Sequence, residues 1–311
     1  WRDRRRNTHS PWVVYGPPLR TFSLLTVGVL MPLVLGWRII DRDTYDTLHR
    51  SATVTWWIGG FLLGWGAVRH RSWTLGLIAV LALPIAATLT QADCFYWNNV
   101  NGAWQAFGWA WLLPIYVTTG WWLAEQEDET LHALGRTVNR AAVAILLTSA
   151  LWSLTDLSRS QAAAASHAVL APSVALAAAL WRRPAYLYVT SVLALTAATF
   201  GMTELDLTIA QVSVGWASLA LLHLLTSLAL GRRLRPGTPA FINPVIRAGY
   251  AIADLAILPP LFPYEPDLAI YAVGNWIGMA VWGAYLVASQ RRGFLIERPL
   301  FKGFYHWVAA L

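Results

Sequence analysis

Ten long apolar runs decide what this chain can fold into. They cover about 21–38, 53–69, 73–90, 103–123, 141–157, 164–181, 185–202, 207–230, 245–262 and 268–290. Most reach the roughly 17–25 residues that a bilayer-crossing helix needs. They do not alternate, as the short strands of a membrane barrel would. Away from water every backbone amide must be satisfied within its own segment, which leaves helices. Composition agrees: 57% of the residues are hydrophobic and 13% charged, against roughly 25% charged in a soluble domain. The expectation is an all-α integral membrane protein of about ten transmembrane helices, arranged as repeated helical hairpins.

The net charge of +7 does not point to nucleic acid, because the arginines sit in pairs between apolar runs and form no basic face. Their placement reads instead as topology. With the N-terminus and every even-to-odd connection on one side, that side collects 19 of the 23 Lys and Arg. The opposite turns are acidic or neutral: Asp93, Glu204 with Asp206, and Glu265 with Asp267. The bias predicts both termini in the cytoplasm, in a bacterial inner membrane. It also favours a spanning ninth run despite Arg247, Asp254 and the Pro259–Pro260 pair. The lone Cys94 excludes an internal disulfide. Trp1 stands where a start Met would, so the chain reads as a processed or partial piece. Trp12, Trp37, Trp73, Trp97, Trp121, Trp122 and Trp181 lie near run ends, where an interfacial belt explains them. Trp65, Trp109, Trp111 and Trp282 are deeper and are expected to pack between helices.

The runs also resemble one another. RHRSWTLGLIAVLALPIAATL (69–89) matches WRRPAYLYVTSVLALTAATFG (181–201) at a shift of 112 residues, with VLAL on VLAL and Arg71 on Arg183. Without a gap, Trp104 then falls on Trp216. Shared Trp and Arg positions carry more weight than shared Leu and Ala. The reading is a cytoplasmic segment 1–20, a first unit 21–123, a connection 124–140, a second unit 141–231, a connection 232–244, a partial third unit 245–290 and a C-terminal segment 291–311. Four runs per unit make the copies parallel, unlike the inverted repeats of many secondary transporters.

No metal-ligand spacing, phosphate loop, nucleophile elbow or dinucleotide fingerprint is present. The candidates are single residues. Asp254 lies near the middle of the ninth run, where a carboxylate costs several kcal/mol unless paired, protonated or in a wet cavity. Arg247, seven residues earlier, shares its face but lies roughly 10 Å away along the helix. Together they are the ion or proton candidates. His167 and His223 are the histidines inside runs, and they are candidate ligands for a pigment or haem. Counted from their inner arginines they differ by six residues, roughly 9 Å of depth, which makes a shared haem awkward. On the outer face, IIDRDTYDTLHR (39–50) offers Asp41, Asp43 and Asp46, and QADCFYWNNVN (91–101) offers Asp93. In its first outer loop alone, the chain resembles membrane-embedded polyprenyl-linked glycosyltransferases, which implies a catalytic acid there. The cytoplasmic EQEDE run (125–129) reads as a solvated helix extension.

Three functions are weighed. The first is a scaffold or accessory subunit of a larger membrane assembly, not an enzyme, with the bilayer and other membrane subunits as partners and bound lipid as the expected ligand. It is favoured by short loops and by small-residue stretches such as AAAASHAVLAPSVALAAAL (162–180), which suit close helix contact. The second is a transporter or channel using Asp254. The third is a transferase acting on a lipid-linked substrate through the outer aspartates.

Overall fold

The computed structural model describes residues 28–36, 48–95, 102–155, 160–233 and 240–257, and among them it is helical with no strand. The elements are α1 (28–36), α2 (Leu48–His70), α3 (Trp73–Phe95), α4 (Gly102–Ala110), α5 (Leu112–Ala124), α6 (Glu129–Trp152), α7 (Ser160–Leu180), α8 (Tyr186–Glu204), α9 (Ile209–Arg233) and α10 (Ile242–Ile257). Four of them, α3, α7, α8 and α9, are long and apolar enough to cross a membrane. The outer aspartates Asp41, Asp43 and Asp46, the tenth run and both terminal segments lie outside the described residues.

Two compact units divide the chain. One takes residues 1–100 and 119–144, the other 101–118 and 145–311. In the first, α2 and α3 form a hairpin with Trp56, Leu63, Ala79, Ala82, Ala86 and Leu89 at its core, and Met31 of α1 joins it. Trp56 donates its indole N–H to the Met31 carbonyl (3.1 Å). In the second, α7 pairs with α8 and α9 with α10, while α4 lies against α7. Ala220, Leu224, Ile246, Tyr250 and Ala253 form the α9–α10 core. Gly249 belongs there because a Cβ on it would stand 3.1 Å from the His223 Cβ, so two backbones approach where no side chain intervenes.

The hairpin turns repeat one device. Arg71, Arg182 and Asp206 each adopt a left-handed backbone, with φ of 53°, 54° and 51°. Each closes its helix by a bond from the next residue's N–H to a carbonyl five residues back: Ser72 to Ala67 (3.0 Å), Arg183 to Ala178 (3.0 Å) and Leu207 to Met202 (3.3 Å). That bond satisfies a terminal carbonyl and ends the helix where glycine is usual. Of the following helices α3 and α9 start on side-chain caps, while α8 starts at Ala185 without one. Ser72 Oγ accepts the Leu75 N–H (3.4 Å). Thr208 and Gln211 form a reciprocal capping box, at 2.9 and 3.3 Å.

Two runs differ from their expectation. The fourth is not one rod: it breaks at Trp111 into α4 and α5. Pro114 has no N–H to give and its ring crowds the carbonyl four residues back, at Ala110, so the helix stops there and restarts. The fifth begins twelve residues earlier than its apolar part, at Glu129, because EQEDE is not a helix extension. Its residues 125–128 are the turn between α5 and α6, Glu129 opens α6, and Asp128 Oδ1 caps that helix by accepting the Leu131 N–H (3.1 Å). Two deep tryptophans also depart from the packing expected of them. Trp65 is 67% exposed and Trp111 is likewise exposed, since neither finds a facing helix among the described residues. Trp109 does pack, edge-on to Trp152 with centroids 5.6 Å apart.

Candidate functional site

Hydroxyls within apolar helices set the local rule. Thr90, Ser166, Ser173, Ser191, Thr196 and Thr199 each donate to the carbonyl four residues earlier, at 2.7 to 3.0 Å. Such back-bonding satisfies a hydroxyl without water and leaves its oxygen lone pairs free to accept. Two tryptophans exploit this across helix interfaces. Trp57 Nε1–H donates to Thr90 Oγ1 between α2 and α3 (2.7 Å). Trp216 Nε1–H donates to Thr199 Oγ1 between α9 and α8 (2.9 Å).

The candidate histidines obey the same logic. His223 sits on α9, where Nδ1 lies 2.9 Å from the Leu219 carbonyl and Nε2 lies 3.0 Å from Ser191 Oγ of α8. His167 is buried on α7, with Nδ1 2.8 Å from the Ala163 carbonyl and 3.4 Å from Ser153 Oγ. Ser153 in turn donates to the Ala150 carbonyl (2.8 Å). Each ring therefore spends Nδ1 on its own helix. At 3.0 Å no metal centre fits between His223 Nε2 and Ser191, so a pigment or haem there would first have to displace the serine. The two histidines are held by different partners and on different helices.

Asp254 lies on α10, half-buried, and its Oδ1 is shielded from solvent without a hydrogen-bond partner. Arg247 is exposed two turns earlier on the same helix. Asp93, at the end of α3, accepts the hydroxyl of Thr53 from α2. Glu204, at the end of α8, accepts the Ser160 hydroxyl and the Gln161 N–H (3.0 Å) from the first turn of α7. The Glu204 carboxylate thus meets a free amide and the positive end of the α7 dipole, while Asp93 meets a hydroxyl in the second turn of α2, and each acidic end clasps its hairpin. Among the described residues no group of three or more His, Cys, Asp or Glu is placed to hold a metal ion.

Sequence reasoning singled out Asp254, His167, His223 and Asp93 but missed Ser191 and Ser153, which meet the two histidines, Thr53, which meets Asp93, and the pairing of Ser160 with Glu204. The available signal was a hydroxyl residue within a span, at a position buried by a neighbour. No family model, curated protein or solved structure matches this chain.

Proposed function

We propose that the chain is a non-catalytic helical scaffold, an accessory subunit of a larger membrane assembly. In this reading it sits in a bacterial inner membrane with both termini cytoplasmic, and its body is built from repeated hairpins. The observation that carries the reading is α8, a membrane-length helix whose apolar stretch is only 11% buried against the described residues. Val192 on that helix is 61% exposed. Such a face is lipid-covered or covered by another subunit. The matching turns at Arg71 and Arg182, and the carboxylate clasps at Asp93 and Glu204, support the hairpin as the repeated unit.

The test places a photo-crosslinker at Val192 in native membranes. A discrete adduct with one other membrane polypeptide, lost when Leu193 on the buried side carries the probe instead, supports the reading. A chain that runs alone and monodisperse in mild detergent, with lipid adducts only, overturns it.

A second reading, a transporter or channel, draws on the unpartnered Oδ1 of Asp254. Intramembrane carboxylates mark ion and proton pathways. In proteoliposomes loaded with a pH- or ion-sensitive dye, Asp254→Asn should then abolish a flux that the parent chain carries. An unchanged flux, or none in the parent, removes the reading.

A further inference from the structure

Three relays of one design cross helix interfaces: a ring nitrogen meets a hydroxyl oxygen, and that hydroxyl donates to the carbonyl four residues earlier. In two of them the ring is indole. Trp57 meets Thr90, which donates to Ala86 (2.8 Å), and Trp216 meets Thr199, which donates to Leu195 (2.8 Å). Indole always carries its N–H, so each relay closes with one proton per link.

In the third relay imidazole stands in for indole. His223 Nε2 lies 3.0 Å from Ser191 Oγ, and Ser191 Oγ lies 3.0 Å from the Leu187 carbonyl. The same ring also reaches the Leu219 carbonyl through Nδ1 at 2.9 Å. Carbonyl oxygens only accept. The Leu219 contact therefore takes a proton on Nδ1, and the Leu187 contact takes the single serine proton. The remaining Nε2–Oγ contact needs a third proton, on Nε2. A neutral ring and a serine bring two between them.

We infer that His223 is a proton-binding site at the junction of α8, α9 and α10, whose three-bond array closes when the ring is imidazolium and loses one bond when it is neutral. Charge-assisted hydrogen bonds offset part of the cost of holding the cation away from water. His167 supplies the contrast. There the one Nδ1 proton lies between the Ala163 carbonyl (2.8 Å) and the more distant Ser153 Oγ (3.4 Å), and Ser153 donates to the Ala150 carbonyl, so two protons serve all three contacts and the neutral ring suffices.

The packing elements bring few other charges. α8 carries Tyr186, Tyr188 and Glu204; α10 carries Arg247, Tyr250 and Asp254; α9 ends in Arg232 and Arg233. At the ring itself α8 presents Ser191 and α10 presents Gly249, whose absent side chain lets it lie against the His223 Cβ. Protonation thus ties α8, the least covered membrane-length helix, more firmly to α9. The inference depends on neither the scaffold nor the transport reading, and its readout is proton occupancy rather than partner capture or flux.

The test is nitrogen NMR on the full chain, labelled with ¹⁵N-histidine in lipid nanodiscs, with the His223 signals identified by their loss in His223→Gln. Between about pH 8 and about pH 4, which brackets an ordinary imidazole, Nε2 should gain a proton while Nδ1 keeps its own. Ser191→Ala should weaken proton affinity roughly tenfold, about one pH unit at the midpoint, and Ser191→Thr, which keeps the hydroxyl, should restore it. His167, whose second proton would close no further bond, should gain that proton only at lower pH than His223 does. A parent chain whose His223 keeps one bare nitrogen across the range overturns the inference, and so does a titration that Ser191→Ala leaves in place. The parent titration stands by itself if the alanine variant does not fold.

Discussion

Gly135 of α6 lies against the backbone of Ala124 at the end of α5: a Cβ on it would stand 2.8 Å from the Ala124 Cα and closer still to the Ala124 nitrogen. Backbone atoms cannot swing aside as a side-chain tip can. Gly135→Ala should therefore cost about 3 kcal/mol, the upper end for an overpacked site. Gly201, near the end of α8, has nothing within 4 Å of the corresponding position. Gly201→Ala should be neutral or add up to about 1 kcal/mol through helix propensity. Unfolding by denaturing detergent, followed by circular dichroism, compares the pair. Equal effects would refute the difference in packing.

The indole relays make a quantitative claim. In a double-mutant cycle, Thr199→Val with Trp216→Phe should show a coupling of about 0.6 kcal/mol and no more than about 1.7. Thr90→Val with Trp57→Phe should fall in the same range. Additive single losses would mean that the hydrogen bonds contribute nothing beyond the packing of their rings.

Asp128 holds two partners with its two oxygens. Oδ2 meets Arg71 Nη1 at 2.6 Å, on a side chain that is 56% exposed, while Oδ1 caps α6. An exposed pair is worth little, so Asp128→Asn, which keeps an acceptor for the Leu131 amide, should cost less than about 1 kcal/mol and less again in high salt. Asp128→Ala removes the cap as well and should cost about 1 kcal/mol more, independent of salt. Thermal midpoints at two ionic strengths separate the two contributions.

The Glu204 clasp predicts a coupled pair. Glu204→Gln and Ser160→Ala should each lower the thermal midpoint, and the double variant should lower it by less than the sum, because both break one hydrogen bond. Strict additivity would refute a direct contact between the ends of α7 and α8.

Much of the helical architecture was legible in the sequence, since long apolar runs broken by Arg-bearing turns leave few alternatives. The third, sixth, seventh and eighth runs return as the membrane-length helices. What escaped was set by single residues acting through backbone chemistry. Pro114 breaks a run whose hydropathy is continuous. Asp128 starts α6 inside a charged stretch that apolarity marks as a connection. The turns pair Arg71 with Arg182, one residue short of the register in which VLAL falls on VLAL, because the left-handed position rather than the matching side chain decides the role. The site was half legible: Asp254 and His223 stand out as polar residues in apolar helices. Their surroundings do not, because Ser191 lies 32 residues from His223 and nothing in the spacing joins them.

The two compact units share their thread. Unit one closes only with residues 119–144, and unit two already owns 101–118. A cut after residue 100 or after residue 144 would therefore give fragments that each lack or carry foreign pieces. During synthesis the order is equally constrained. The first unit stays incomplete until residue 144 has left the ribosome, and by then part of the second has already been made. Expressing the halves from separate genes should fail for any single breakpoint, because the crossings at 118/119 and 144/145 fall inside α5 and α6 and a break at either would cut a helix.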